Sequence, residues 1–196
     1  GEYSRVEQSF TEIEKVWEYN QVGTFRVLEF CRKNKIKLIY SGSSTKFTLD
    51  SRPGSLSPYT WFKTSNTELI VNYGEWFNLQ YTVVYFYNVY GNNEIKEGKY
   101  ATLISLFKGQ YVRNEKLTIV APGTQKRNFT HIDDVIEAIV LVSEKGHGDG
   151  YGIGSDESYS ILEIAKQFNC PYKIIPARIG NRMESLLINK TPKKKK

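Results

Sequence analysis

Apolar residues recur three to four positions apart between Thr11 and Lys33, at Ile13, Val16, Trp17, Val22, Phe25, Leu28 and Phe30. That spacing matches the turn of an amphipathic helix, so a long helix is expected, with Thr11 as its N-cap. The pattern then changes. Ile36 to Tyr40 is a short β-rich run that ends in Ser41-Gly42-Ser43-Ser44, where small residues allow close backbone approach. A strand is expected to end there at an open, polar mouth. Ser57-Pro58 opens the next helical stretch, which runs to about Phe77; serine caps well and proline is tolerated in the first helical position. Tyr81 to Tyr87 is almost continuously β-branched or aromatic, as in a strand covered on both faces.

The alternation continues. Helices are expected near Tyr100 to Val112, Ile132 to Val142 and Ser160 to Phe168, and strands at Leu117 to Val120, near Tyr151 to Ile153 and at Tyr172 to Ile175. Alternating helix and strand imply an α/β fold with a parallel sheet. After about Gly91 the elements shorten and loops lengthen, so a subdomain change is placed there.

The chain has 196 residues, 40% of them hydrophobic and 24% charged, a profile that excludes a disordered chain and requires a real core. The formal charge of +6 suggests a nucleic-acid partner until Lys190 and Lys193 to Lys196 are set aside, which leaves about +1. The basicity belongs to a tail, and no nucleic-acid partner is expected. Cys31 and Cys170 form no CxxC pair, which points to a reducing compartment without a disulfide framework or zinc ribbon. No apolar run reaches membrane-spanning length and no signal pattern opens the chain; a soluble cytoplasmic protein is expected. It begins at Gly1 and stops in Thr191-Pro192 and four lysines, the ends expected of a piece of a longer protein.

Tyr59 and Lys63 are the sharpest chemical feature. Four residues apart on a helix, they share a face, and an ammonium beside a phenol favours the phenolate and makes a usable general base. Such a pair also arises by chance on a solvated face. What separates the two readings is position: the helix follows the Ser41-Gly42-Ser43-Ser44 strand end, and open α/β sheets bind their ligands beyond such carboxyl ends.

With those residues the chain resembles the extended short-chain dehydrogenase/reductase family, specifically its NAD-dependent nucleotide-sugar epimerases and dehydratases, of the UDP-glucose 4-epimerase kind. The resemblance covers essentially the whole chain. It rests on Asn20-x-x-Gly23-Thr24, Ser41-Gly42-Ser43, Tyr59-x-x-x-Lys63, Tyr87-Asn88-Val89-Tyr90-Gly91, the stretch from Gly123 through Arg127 to Asp134, and Arg178-Ile179-Gly180-Asn181. It implies a Rossmann-type doubly wound parallel sheet, its N-terminal part missing, with a smaller C-terminal α/β substrate subdomain. Residues 1–91 would be the later portion of the NAD-binding domain, and 92–196 mainly the sugar-nucleotide subdomain, returning one strand and helix to the first part. By the same resemblance Tyr59 is the catalytic acid/base, Lys63 holds the nicotinamide ribose, and Ser43 bonds the reacting hydroxyl. Asn20, Ser41 and Tyr87 join Tyr59 and Lys63 at the NAD site, while Asn88, Arg127 and Arg178 bind the nucleotide-diphosphate sugar. Two guanidinium forks suit a diphosphate without a metal, and no metal site is expected. The family also implies a homodimer through the helices at about 11–33 and 57–77.

The departures shape the expected reaction. No glycine-rich cofactor turn occurs in this sequence: the run from Gly146 to Gly154 fails the G-x-G-x-x-G spacing and reads as a loop leading into a strand. Glu2 stands where the family usually has a small residue near the cofactor, Tyr85 replaces a common arginine, and Asn92-Asn93 lacks the usual proline. Family dehydratases carry an Asp-Glu pair at the positions of Ser43 and Ser44, and decarboxylases a nearby Glu, whereas no acid appears here until Asp50. A 4-epimerase acting through a 4-keto sugar, on the UDP-glucose or UDP-N-acetylglucosamine class, is the expected reading. A dehydratase or decarboxylase of the same family, or a silent nucleotide-sugar binder, is the alternative. The chain alone is expected to be inactive. His131 and His147 lack partners at metal-ligand spacing, and Asp133-Asp134 reads as a helix cap and dipole partner.

Overall fold

The computed structural model describes residues 2–47, 56–179 and 183. Gly1, Asp50, Gly180, Asn181 and the lysine tail lie outside them. The elements in chain order are α1 (Ile13–Val16), α2 (Gly23–Asn34), β1 (Leu38–Ser43), α3 (Pro58–Phe77), β2 (Tyr81–Phe86), β3 (Val89–Tyr90), α4 (Leu103–Val112), β4 (Leu117–Val120), β5 (Lys126–Asn128), β6 (Thr130–His131), α5 (Ile132–Lys145), β7 (Gly148–Ile153), β8 (Ser158–Ser160), α6 (Ile161–Gln167) and β9 (Tyr172–Ile175).

The first helical stretch starts later than its periodicity suggests. Thr11 closes a 3-10 turn at Gln8–Phe10 and gives its hydroxyl to the Gln8 carbonyl at 3.2 Å, so it does not cap α1. A π-helical segment, Trp17–Val22, joins α1 to α2, and Lys35 ends the run in the left-handed region at φ 54°. Val16, Asn20, Thr24, Leu28 and Cys31 are buried, while Ile13, Trp17, Phe25 and Phe30 remain about half exposed. The apolar set read from the sequence thus spans two faces, one of them open to solvent.

β1, β2 and β7 form a parallel sheet in that order. β1 does not stop at Tyr40: Ser41, Gly42 and Ser43 continue the ladder opposite Val84, Tyr85 and Phe86. A Cβ on Gly42 would stand 2.5 Å from the Tyr85 ring, so this glycine admits a neighbouring side chain. β7 likewise begins at Gly148, and part of the glycine run expected as a loop is strand.

Ser57 caps α3, its Oγ accepting from the Thr60 N–H at 3.1 Å. α2 and α3 cover one face of the sheet through Leu28, Ile70, Tyr73, Val83 and Tyr85. α5 covers the other through Val135 and Val142 against Val84 and Ile153. Side chains alternate across a strand, so β2 sends successive residues into both cores, as its nearly continuous apolar run requires. A third core, from Phe107, Leu117, Ile119, Ile161 and Ile164, joins α4, α6 and the parallel β4–β9 pair. β3 pairs with β6, and β5 with β8. The cap of α5 is His131, whose Nδ1 accepts from the Asp133 N–H at 3.3 Å; Asp133 and Asp134 occupy the first turn, where carboxylates suit the dipole.

Candidate active site and adjoining cleft

The mouth of the sheet lies where β1 ends against the first turns of α3. Lys63 is only 5% exposed there. Its ammonium donates to the Ser41 carbonyl at 2.6 Å, to the Glu2 carboxylate, and more distantly to the Tyr40 hydroxyl at 3.4 Å. Burial pushes the Lys63 pKa below its ordinary value, and Glu2 pulls against that shift. The same carboxylate accepts from Tyr40 at 2.8 Å, Thr24 at 3.1 Å and Asn66 at 3.3 Å. Burial raises the Tyr40 pKa, with Glu2 adding to the effect.

The residues flagged by sequence fall into two groups around this point. Tyr59 is half-buried one turn before Lys63. Ser41 is exposed on β1, and Ser43 shares a 2.7 Å hydrogen bond with the Thr45 hydroxyl. Asn20 is fully buried; its amide bonds the Tyr3 N–H at 2.6 Å and the Tyr3 carbonyl at 2.9 Å. It stitches Tyr3 onto the helices. Tyr87 lies wholly within the core shared with Leu28 and Ile70.

The second group lines a cleft of about 720 Å³ that includes Thr45, Asn88, Arg127 and Arg178. Asn88 holds φ at 35°, which turns the chain out of β2, and donates to the Asn128 carbonyl at 3.0 Å. Arg127 is half-buried and donates to the carbonyls of Lys126 at 2.7 Å and Met183 at 3.1 Å; burial lowers its pKa. Arg178 is exposed, 3.8 Å from Glu7. Gln125 is buried against the same cleft, its Oε1 without a hydrogen-bond partner among the described residues. Sequence reasoning missed Arg5, Gln125 and the contacts of Glu2. Residues 2–8 carry no periodic signal, and only their through-space neighbours reveal a role. Among the described residues no three His, Cys, Asp or Glu side chains gather as a metal site, and no helix there is long and apolar enough to cross a membrane.

A parallel sheet with helices on both faces, a Tyr-x-x-x-Lys pair at its mouth and an arginine-lined cleft beside it have the architecture of a Rossmann-type α/β protein. A model of the NAD dependent epimerase/dehydratase family matches residues 1–154, and the chain belongs to that family. It is 30% identical over 186 residues to the dTDP-D-glucose 4,6-dehydratase of Dictyostelium discoideum, covering 84% of this chain and 42% of that one. Over 166 residues it is 30% identical to the UDP-N-acetyl-alpha-D-glucosaminuronate decarboxylase of Bacillus cytotoxicus, covering 78% and 51%. The crystal structure of UDP-glucose 4-epimerase from Thermotoga maritima superimposes with a TM-score of 0.87 at 24% identity, over 95% of this chain and 66% of that one. The chain thus spans about half the length of these curated relatives.

The family is NAD-dependent, and the residues present fit the ribose end of that cofactor. An ammonium has three donors; two of Lys63's are closely engaged, and the one toward Tyr40, at 3.4 Å, can turn to a ribose hydroxyl. A pyrophosphate needs the N–H groups of a glycine-rich turn at a helix N-terminus, and no stretch of this sequence has that spacing.

Proposed function

We propose that the protein is an NAD-dependent nucleotide-sugar 4-epimerase acting on UDP-hexoses, with Tyr59 and Ser43 at the reacting hydroxyl, Lys63 tuning Tyr59 and holding the nicotinamide ribose, Asn88 on the nucleotide-sugar, and Arg127 and Arg178 on its diphosphate. The observation that carries this reading is the approach of two clusters: Thr45, hydrogen-bonded to Ser43, lines the same cleft as Asn88, Arg127 and Arg178. Residues 1–91 would then supply the cofactor side and 92–196 mainly the sugar-nucleotide side.

The Tyr59 phenolate takes the proton of the C4 hydroxyl, and Lys63 stabilises that phenolate through its positive charge. NAD, when bound, would supply the hydride chemistry at C4. Ser43 holds the C4 oxygen by hydrogen bond, and the two arginines keep the diphosphate in place while the 4-keto sugar turns its other face. A dehydratase needs a further acid here. Glu2 shares Lys63 with the Ser41 carbonyl, but four donors occupy it, which leaves it unsuited to proton transfer. Ser43-Ser44-Thr45 contains none.

The test is product analysis by NMR after incubating UDP-glucose and NAD with a complete form of the protein, one that carries a glycine-rich cofactor turn. UDP-galactose is expected, and exclusive formation of a 4-keto-6-deoxy sugar would overturn the assignment. Tyr59→Phe should reduce turnover by about 10²- to 10⁴-fold with sugar-nucleotide binding retained. The engagement of Lys63 by Glu2 favours a second reading, a silent nucleotide-sugar binder, recognised by tight UDP-sugar binding with no turnover. This chain by itself is expected to bind the sugar nucleotide better than NAD. The exposed Ile13, Trp17 and Trp61, around an apolar hollow of about 520 Å³, support pairing of these helices with a second copy.

A further inference from the structure

The cleft that holds Arg127 and Arg178 also carries an acid. Its charged lining consists of Arg5, Glu7, Arg127 and Arg178, so among the described residues Glu7 is the single carboxylate there. Glu7 hangs from an anchored turn. The Ser9 N–H donates to the carbonyls of Arg5 and Val6, both at 3.2 Å, and the Phe10 N–H to that of Glu7 at 3.3 Å. Ser9 is wholly buried, and its hydroxyl donates to the Val6 carbonyl at 2.6 Å. The backbone at Glu7 is therefore held, while its side chain is 59% exposed. Its Oε2 lies 3.8 Å from Nε of Arg178, itself 53% exposed. At that separation the two form an ion pair without a hydrogen bond.

What such a pair does depends on what else Arg178 must hold. On the reading of the cleft given above, Arg178 grips a diphosphate, which brings more negative charge than one carboxylate and oxygens placed to take the whole guanidinium fork. A pair between exposed side chains is weak, so the arriving anion takes the arginine. Two opposing effects remain. The attraction between Glu7 and Arg178 is lost, and the freed carboxylate, tethered to a held turn, stays as a like charge beside the phosphates. An acid could instead assist by orienting the guanidinium before the ligand arrives. The geometry decides against that, because fixing a fork takes a close bidentate hydrogen bond and the pair at 3.8 Å makes none.

We propose that Glu7 is a displaceable counter-ion of Arg178, an acid that holds the arginine until a diphosphate takes it and so lowers the affinity of the cleft for nucleotide diphosphates. The proposal rests on the cleft being a diphosphate site, and calorimetry with UDP on the wild type, Glu7→Gln, Arg178→Ala and the double variant separates the two claims. At low salt Glu7→Gln should bind UDP about two- to fivefold more tightly than the wild type, the range for an exposed ion pair. In about 1 M sodium chloride, where charges are screened over about 3 Å, the two proteins should bind alike. In the Arg178→Ala background most of the gain should disappear, since the carboxylate then has no arginine to occupy. An equal gain with and without Arg178 would overturn the proposal, because Glu7 would then act by its field alone. Unchanged or weaker UDP binding by Glu7→Gln at low salt would overturn it as well, the weaker binding marking Glu7 as an aid to Arg178. Failure of the wild type to bind UDP at all would overturn the reading of the cleft itself, and this proposal with it.

Discussion

Replacing Glu2 by alanine removes the one carboxylate that faces Lys63 in the sheet mouth. The two side chains are 21% and 6% exposed, so the ammonium is left almost out of water with the Ser41 carbonyl as its close acceptor. Breaking a buried ion pair from one side costs about 3–5 kcal/mol. Water can reach the ammonium from the exposed side of Glu2, and the expected loss is therefore about 2–3 kcal/mol, below that range. In a chain of this size 1 kcal/mol moves Tm by roughly 2–4 °C, so a drop of about 4–12 °C should appear in a thermal melt. Urea denaturation followed by circular dichroism should show a lower midpoint at unchanged slope. The pH dependence supplies a second signature. The Lys63 pKa is lowered on folding from its ordinary 10.5, so the unfolded chain holds that proton at higher pH than the folded chain. Stability from this group therefore rises with pH between the folded value and 10.5. Without Glu2 the folded value falls further and the rise begins nearer neutrality, so the deficit of Glu2→Ala should shrink as pH climbs. A loss below about 0.5 kcal/mol, or strict additivity of Glu2→Ala and Lys63→Met in a double-mutant cycle, would refute the reasoning.

Gly42→Ala should destabilise by about 1–3 kcal/mol, the cost of overpacking, because its Cβ would meet the fully buried Tyr85 ring at 2.5 Å; a Tm within 1 °C of wild type, by about the same conversion, would contradict this. Ser57→Ala should cost about 1 kcal/mol in urea denaturation by removing the cap of α3, and Ser57→Asp should recover most of it. Arg127→Ala and Arg178→Ala should each weaken UDP binding about tenfold or more by calorimetry, with lysine a partial substitute; unchanged affinity in both would remove the clamp. Trp61→Glu should convert a dimer to a monomer in sedimentation velocity, and a wild-type monomer at high micromolar concentration would count against pairing through this face.

The long elements could be read from the sequence because their signals are local. Ser57 followed by Pro58 marks the start of α3, and the nearly continuous apolar run of β2 announces burial on both faces. Features set by distant partners could not be read this way. β3, β5, β6 and β8 are two or three residues long, too short to carry a period. β1 outlasts its apolar stretch because Gly42 pairs with Tyr85, 43 positions later in the chain. Thr11 looks like a cap, but its hydroxyl finds a carbonyl in the preceding turn. In the site, Asn88, Arg127 and Arg178 stand out through motif resemblance, and the fold brings them to one cleft. Glu2 and Arg5 sit in an irregular segment whose importance depends on what it touches.

That segment also explains how one lysine can serve both the fold and the proposed chemistry. A lysine this deeply buried is costly unless its charge is met, and Glu2 together with the Ser41 carbonyl meets it. Were all three donors equally well engaged, none would remain for a ribose or a phenolate. They are not equally engaged: the contact to Tyr40 is 3.4 Å, against 2.6 Å for Ser41. Re-aiming that donor gives up little, because a hydrogen bond at such length is weak. Tyr40 loses little as well, since its own hydroxyl donates to Glu2 at 2.8 Å. The carboxylate therefore anchors the ammonium without exhausting it. Glu2 can occupy a position where the family resemblance implies a small residue only because Tyr40, Thr24 and Asn66 share its charge with Lys63.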